Sequence, residues 1–237
     1  METQVLSQVV NVLDLTGVLA NALLGGAVAR QHRLDPVGFA VLAVLSGLGG
    51  GMLRDVLIQA GPPVALTDPW YLGTALVGAG LAFLITFEGT KWWDRIFPWV
   101  DALALGTWAA VGTQRALSHG LGVVPSVLLG AITAVGGGAV RDIALGKIPT
   151  VLGGNTLYAT AALAAGGTLA ALSVVIHPSI ATPVASVVGA AITLLARWRG
   201  WILPDRIYWG ATPVRRIVDR RRRGTDEDAA AADDAAE

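Results

Sequence analysis

The sequence contains no cysteine and few charged residues. None of its 237 residues is a cysteine, which excludes disulfides and Cys-ligated metals. Charged residues make up 14% of the chain, whereas an average soluble domain has about 25%. Of the 34 charged residues, 11 fall within residues 219–237, so the remainder is poorer still. A soluble protein of this size could not cover its surface with so few charges. The composition therefore excludes an ordinary soluble enzyme, a disordered protein and a nucleic-acid-binding protein.

Apolar residues and glycine are abundant instead. Hydrophobic residues make up 54% of the chain, and the mean hydropathy is +0.61. There are 30 glycines, well above the usual share of about 7%. In a membrane bundle, extra glycine permits either close helix packing or helix breaks. The sequence therefore predicts an all-α polytopic membrane protein.

Seven apolar segments are candidates to cross a bilayer core of about 30 Å. They cover residues 8–29, 36–58, 70–88, 97–117, 121–145, 154–176 and 180–197. The first segment resembles a secretory signal, but no Lys or Arg precedes it and Asp14 interrupts it. We therefore expect residues 1–29 to remain in the mature protein.

The basic residues of the short loops predict the orientation of the chain. If the N-terminus is outside, the outer loops contain only Arg115, and the inner loops contain Arg30, Arg33, Lys91, Arg95 and Lys147. The positive-inside rule then places the C-terminus in the cytoplasm and the protein in the inner (plasma) membrane of the cell. Residues 197–223 are basic and contain tryptophan, so we expect this segment to contact anionic lipid of the inner leaflet.

The sequence repeats itself at an offset of 87 residues without gaps. Many matched residues are polar, aromatic or glycine, among them Asp14 with Asp101, Tyr71 with Tyr158, and Gly80 with Gly167. Each copy holds three spans, so the second copy enters the membrane from the opposite side. We predict 3+3 inverted repeats plus one helix. Residues 1–93 form the first repeat, 94–179 the second and 180–200 the seventh transmembrane helix, and residues 201–237 form a basic segment with a disordered acidic tail.

The most informative repeated motif is Gly-Gly-Gly-x-x-Arg-Asp. Its first copy holds Gly49, Gly50, Gly51, Arg54 and Asp55, and its second copy holds Gly136, Gly137, Gly138, Arg141 and Asp142. Three successive glycines weaken a helix, and a broken helix in the membrane can present backbone groups to an ion. We therefore predict breaks in the second and fifth spans. The alternative is that the glycines allow tight helix crossing, while Arg and Asp neutralise each other as a structural clamp.

Acidic residues outnumber basic residues among the candidates for burial in the membrane. Asp14 and Asp101 add to the two Arg-Asp pairs, which gives an excess of two negative charges. A cavity with excess acid attracts cations. Ser46 and Thr133 share a helical stripe with the glycines and arginines of the motif, so their hydroxyls are further candidates to line an ion pathway. The alternative is that Asp14 and Asp101 each cap their helix near the outer face or form a salt bridge with a repeat-related arginine.

Both copies of the motif, the two three-span repeats and the seventh helix resemble the prokaryotic branch of the trimeric intracellular cation channel family, whose repeat is also known as a glycine-transporter-like domain. The resemblance covers residues from about 10 to 200. It implies a homotrimer in which each protomer has its own pore, lined by the kinked second and fifth helices, here 36–58 and 121–145. It also implies passive flux of monovalent cations, mainly K⁺.

Three functions remain open from the sequence. The first is a K⁺-permeable channel, with ions attracted by the buried acids and gated at the glycine triplets. The second is a carrier for a small zwitterion such as glycine, whose carboxylate and ammonium groups an adjacent Arg and Asp could bind. The third is a membrane scaffold. No residue pattern favours a membrane enzyme, and we expect neither a cofactor nor a metal site.

Overall fold

The computed structural model describes residues 2–59, 61–85, 90–153 and 157–202. Within these ranges, every regular element is a helix. The helices are α1 (Glu2–Gln31), α2 (Pro36–Ile58), α3 (Val64–Thr67), α4 (Pro69–Leu84), α5 (Lys91–Ser118), α6 (Val123–Ala144), α7 (Tyr158–Leu172) and α8 (Pro178–Arg199), and a short 3₁₀ turn covers Thr150–Leu152. The C-terminal segment predicted to be basic and then acidic lies outside the described residues from position 203 onward.

Seven helices of 15 to 30 residues correspond to the seven predicted spans, which confirms the all-α polytopic membrane fold. Four are long and apolar enough to cross a membrane by length and composition: residues 11–31 of α1, and the whole of α2, α6 and α8. Helices α4 and α7 are shorter and apolar. Helix α5 is 28 residues long but carries Asp101, Gln114 and Arg115. The predicted ends at residues 86–88 and 154–156 lie outside the described residues.

The starts of α2 and α4 follow from a local pattern, an aspartate followed by proline. The Asp35 carboxylate accepts a hydrogen bond of 2.7 Å from the Gly38 amide, and the Asp68 carboxylate accepts one of 3.0 Å from the Trp70 amide. Each aspartate thus satisfies an amide that the first turn leaves without a helical partner. The proline that follows has a fixed φ suited to the first helical position and has no amide to satisfy.

The helices form two similar bundles joined through α2 and α6. Helices α1, α2 and α4 pack together, as do α5, α6 and α7, and α8 packs on α5 and α7. Alanine dominates the buried residues. Small side chains let neighbouring helices approach closely, which is the main source of packing energy between helices in a membrane.

The breaks expected at the glycine triplets are not present, because α2 and α6 run through them as continuous helices. The triplets instead form the point where the two helices cross. A Cβ atom built on Gly50 would collide with the backbone carbonyl of Thr133, and one on Gly137 would collide with that of Ser46. Gly49 and Gly136 also lie against the opposite triplet, so the missing side chains are used for backbone contact across the crossing.

Candidate functional site

The Arg-Asp pair at the end of α2 ties this helix to the start of α3. Arg54 Nε donates a 2.8 Å hydrogen bond to Asp55 Oδ1, and Asp55 Oδ2 accepts one of 3.0 Å from the Val64 amide. Arg54 is only 1% exposed. A buried arginine needs a partner of opposite charge within the bundle, and Asp55 supplies it while also satisfying a free amide at a helix start.

The second copy of the motif repeats this arrangement at the end of α6. Arg141 donates to Asp142 Oδ1 through Nε at 3.0 Å and Nη2 at 2.8 Å. Asp142 Oδ2 accepts hydrogen bonds from the Thr150 amide at 3.0 Å and from the Thr150 hydroxyl at 3.2 Å. Both pairs therefore form the clamp considered as the alternative from the sequence, and each holds the loop that follows its helix.

Asp14 and Asp101 each bind a tyrosine of their own bundle. The Tyr71 hydroxyl donates a 2.7 Å hydrogen bond to Asp14 Oδ2, and the Tyr158 hydroxyl donates one of 2.7 Å to Asp101 Oδ1. The offset of 87 residues relates both partners of one pair to those of the other. Tyr71 and Tyr158 are themselves related by the repeat, and this match is the sequence signal that could have paired them with the aspartates.

An arginine from another helix faces each of these aspartates. Arg115 Nη1 on α5 lies 3.8 Å from Asp14 Oδ2, and Arg197 Nη1 on α8 lies 3.8 Å from Asp101 Oδ2. These arginines balance the predicted excess of two negative charges. No sequence signal identifies Arg115 and Arg197 as partners of the aspartates. The 87-residue offset does not relate the two arginines to each other.

The larger of two cavities beside the α2–α6 crossing has a volume of about 510 Å³. It lies beside the C-terminal part of α6 and includes Gly138, the last glycine of the second triplet. The polar residues that line it come from five helices and include Asn21, Asp101, Arg141, Tyr158, Thr193 and Arg197. A cavity of this size and polarity can hold many water molecules and a hydrated ion.

The second cavity occupies the repeat-related position beside the C-terminal part of α2 and has very little free volume. Its volume is about 10 Å³, room for about one water molecule. Its lining includes Asp14, Gly51, Arg54, Asp55 and Thr133. The two bundles are therefore similar in their polar contacts and very different in the space that those contacts enclose.

All the predicted site residues except Asp142 thus divide into three groups. Asp101, Gly138 and Arg141 line the large cavity, and Asp14, Gly51, Arg54, Asp55 and Thr133 line the small one. The crossing between them contains Ser46, Gly49, Gly50, Gly136 and Gly137. Asp142 belongs to the clamp of α6. Ser46 and Thr133 are buried, and Thr133 Oγ1 donates to the Leu129 carbonyl at 2.7 Å.

A family model described as "Glycine transporter" matches the chain twice, at residues 11–86 and 98–174. The chain belongs to this family. Two relatives of this glycine-transporter family protein cover most of its length. A UPF0126 membrane protein of Deinococcus radiodurans is 36% identical over 92% of this chain and 98% of its own. The UPF0126 inner membrane protein YadS of Escherichia coli is 33% identical over 78% of this chain and 88% of its own.

A solved structure connects this glycine-transporter family protein to the predicted resemblance. It is that of the TRIC trimeric intracellular cation channel orthologue from Rhodobacter sphaeroides. The two chains superpose with a TM-score of 0.74 at 28% identity, over 81% of this chain and 98% of the other. The assignment to the prokaryotic branch of the TRIC family, made from the glycine motif and the repeats, is therefore confirmed.

Proposed function

We propose that this protein is a channel for monovalent cations, mainly K⁺, with a separate pathway in each protomer of a homotrimer. The observation that carries the proposal is the 510 Å³ cavity, which Asp101 lines together with Gly138, the last glycine of the triplet in α6. Similarity to a TRIC cation channel supports both the ion and the trimer. With the N-terminus outside, the large cavity faces the cytoplasm and the small cavity faces the exterior of the inner membrane.

The Asp101 carboxylate is the group we assign to attracting the cation. It is held by the Tyr158 hydroxyl at 2.7 Å, whereas Arg197 at 3.8 Å is too far away for a hydrogen bond. The carboxylate is therefore fixed in position, and Arg197 offsets its charge across 3.8 Å without a hydrogen bond. Beyond Asp101 the packed crossing at Gly50 and Gly137 interrupts the pathway, so the structure corresponds to a closed state of the proposed channel.

Opening requires a change at the crossing and around the small cavity. If α2 and α6 separate at their glycine contacts, the large cavity gains a route toward Asp14 and Gly51, which line the small one. The backbone carbonyls of Ser46 and Thr133, now covered by Gly137 and Gly50, become available to a passing ion. The gate is thus a contact between two continuous helices.

Reversal potentials in planar bilayers under a KCl gradient test the proposal. We expect the wild-type protein to give a potential displaced toward the K⁺ equilibrium value, and Asp101→Asn to displace it less. Asp35→Asn is the matched control, because this exposed aspartate only caps α2 and asparagine caps equally well. Wild-type potentials near zero would refute cation preference. Crosslinking of the membrane-embedded protein tests the oligomer, and products that stop at a dimer would refute the trimer.

We retain one alternative, a carrier for a small zwitterion such as glycine, because the two repeat-related cavities differ so much in volume. Alternating access in inverted-repeat transporters rests on such inequality: one half is open while the other is closed, and the two exchange conformations. Uptake of labelled glycine into liposomes separates the two functions. Saturable uptake without unitary currents supports the carrier, and unitary currents without saturation at low substrate concentration support the channel.

A further inference from the structure

Trp108 of α5 is a large side chain that lies beside the small cavity. It is 3% exposed and belongs to a core cluster that also contains Val18 of α1 and Leu48 of α2. All three residues line the small cavity, whose volume is about 10 Å³ against about 510 Å³ for the large one. The indole ring therefore fills part of the space that the small cavity would otherwise have.

The residue that the repeat relates to Trp108 is an asparagine. The offset of 87 residues matches Trp108 with Asn21, and Asn21 lines the large cavity. The same offset matches Leu48 of the small cavity with Val135 of the large one. One position of the repeat thus holds a tryptophan beside the small cavity and a much smaller polar side chain beside the large one. The two cavities therefore differ in their residues as well as in their volumes.

A glycine in α1 makes room for the ring. A Cβ atom built on Gly17 would collide with Nε1 of Trp108 and would lie only 2.7 Å from Cε2. The offset relates Gly17 to Ala104, so glycine accompanies tryptophan, whereas alanine accompanies Asn21 in the other half of the repeat. This match of a small residue with a large one indicates that the surface of α1 is shaped to accept the indole ring.

Packing alone holds the ring in this position. The Nε1 atom of Trp108 is buried and has no hydrogen-bond partner among the residues that the structure describes, although a buried tryptophan usually donates its N–H to an acceptor. The ring can therefore leave Gly17 without breaking a hydrogen bond to another residue. A side chain held in this way is suited to move when neighbouring helices shift.

We propose that Trp108 is a plug that closes the ion pathway on the side of the small cavity, and that the pathway opens there when the ring leaves its place against Gly17. The plug is a second barrier, in series with the α2–α6 crossing. Because the tryptophan remains beside the same cavity in every conformation, the two cavities cannot exchange their volumes completely. The position of the plug stands on the packing of the ring, and its effect on flux rests on the proposed channel function.

Single cysteines, introduced into a chain that has none, test the plug in detergent micelles. Leu48→Cys and Val135→Cys are a matched pair, because the repeat relates them and each lines one cavity. A buried thiol reacts with a water-soluble methanethiosulfonate only when its surroundings open, so we expect Trp108→Asn to speed the reaction of Leu48→Cys by roughly tenfold or more. Val135→Cys should react at the same rate with and without Trp108→Asn. An unchanged rate at Leu48→Cys, or an equal increase at both cysteines, would overturn the proposal.

A second variant keeps the tryptophan and moves its ring. Gly17→Ala adds the Cβ atom that collides with Trp108, so it should also speed the reaction of Leu48→Cys. Gly80→Ala is the control, because a Cβ atom at this position meets no atom within 4 Å, and it should leave the rate unchanged. Gel filtration identifies variants that do not fold. If Trp108→Asn is one of them, Gly17→Ala decides, and equal rates in Gly17→Ala and Gly80→Ala would overturn the proposal.

The reciprocal variant places a ring beside the large cavity. The Asn21 side chain makes one long hydrogen bond of 3.4 Å, to the Gly17 carbonyl of its own helix, and borders about 510 Å³ of free space. We therefore expect Asn21→Trp to fold and to slow the reaction of Val135→Cys. A rate as fast as in the parent chain would show that a ring at this position of the repeat does not close a cavity, which would overturn the assignment of Trp108 as a plug.

The effect on conduction is measured separately, as K⁺ flux in liposomes. We expect Trp108→Asn to increase the flux and Asn21→Trp to decrease it. Faster labelling of Leu48→Cys with a flux equal to that of the wild-type protein would overturn the role of the ring as a barrier to ions. Labelling as expected without flux in any of the variants or in the wild-type protein would overturn the channel function and leave the position of the plug intact.

Discussion

Replacing Gly50 or Gly137 with alanine is expected to destabilise the protein by forcing α2 and α6 apart. In each case the added Cβ would overlap a backbone carbonyl oxygen of the opposite helix, and the carbonyl carbons of Thr133 and Ser46 would lie only 3.1 Å and 3.2 Å away. A side chain in such a position could rotate away, but the backbone of a continuous helix cannot. The helices must therefore separate locally or bend.

The magnitude follows from two opposing effects. Overpacking a well-packed interior costs about 1–3 kcal/mol, whereas alanine is favoured over glycine within a helix by up to about 1 kcal/mol. We expect each single variant to lose roughly 1–2 kcal/mol of unfolding free energy. The double variant should lose less than the sum of the two, because helices already separated by one Cβ accommodate the second at the same contact.

Two pairs of glycines give matched controls for this prediction. Gly80 in α4 and Gly167 in α7 are related by the repeat, and a Cβ at either position meets no atom within 4 Å. Alanine there should be neutral or slightly stabilising. In the triplets themselves, a Cβ on Gly51 or Gly138 would make only ordinary contact with an arginine Nη2 atom, at 3.7 Å and 3.8 Å. Alanine at these third positions should therefore be tolerated.

The assay is equilibrium unfolding in detergent micelles, followed by circular dichroism during titration with SDS, with gel filtration to exclude aggregated samples. The close crossing predicts a clear order of stability, in which alanine at position 50 or 137 destabilises more than alanine at 51 or 138, and alanine at 80 or 167 is harmless. If positions 50 and 137 tolerate alanine as well as positions 80 and 167 do, then the triplets do not form a close crossing, and the closed pathway described above is refuted.

Two further predictions concern the acidic residues. Asp55→Asn should lower the free energy of unfolding more than Asp142→Asn does, by about 1 kcal/mol or more in denaturant titration. The reason is that it leaves the charge of Arg54, which is 1% exposed, without a partner. Equal losses of unfolding free energy in the two variants would show that burial of the arginine does not set the size of the effect. The double variant Asp14→Asn with Asp101→Asn should lower the preference for K⁺ over Cl⁻ in reversal-potential measurements. The physical reason is that the arginines facing the two aspartates then have no carboxylate partner. Unchanged selectivity in a folded sample would remove both residues from the pathway.

The charge balance illustrates where sequence reasoning about the site reached its limit. The sequence predicts Asp14, Asp101 and the two Arg-Asp pairs as site residues, and counting them gives an excess of acid. The sequence places Arg115 in an outer loop and Arg197 after the seventh span, yet they lie 3.8 Å from the two aspartates. The net charge of the cavities depends on which helices are neighbours, and separation along the chain carries no information about that.

The glycine triplets had two physical interpretations that sequence could not separate. Consecutive glycines weaken a helix, and they also let two helices touch through their backbones. Whether the glycines weaken the helix or form a close helix contact depends on whether a second helix with small residues lies opposite them. In this fold α6 brings Gly136 and Gly137 to α2, and the close contact keeps both helices intact.

The sequence by itself determined the membrane class, the seven long helices and the two repeats, because apolar length and residue-by-residue matching are properties of the linear chain. It also identified the Arg-Asp pairs as a possible clamp, since adjacent residues of opposite charge can meet within one turn. Only the tertiary structure decided that the triplets cross without breaking, that Asp14 and Asp101 each face an arginine far away in the sequence, and that one cavity is large while its counterpart is almost filled. Those features depend on distances between helices, and the spacing of two packed helices is set by all the side chains and glycines at their contact.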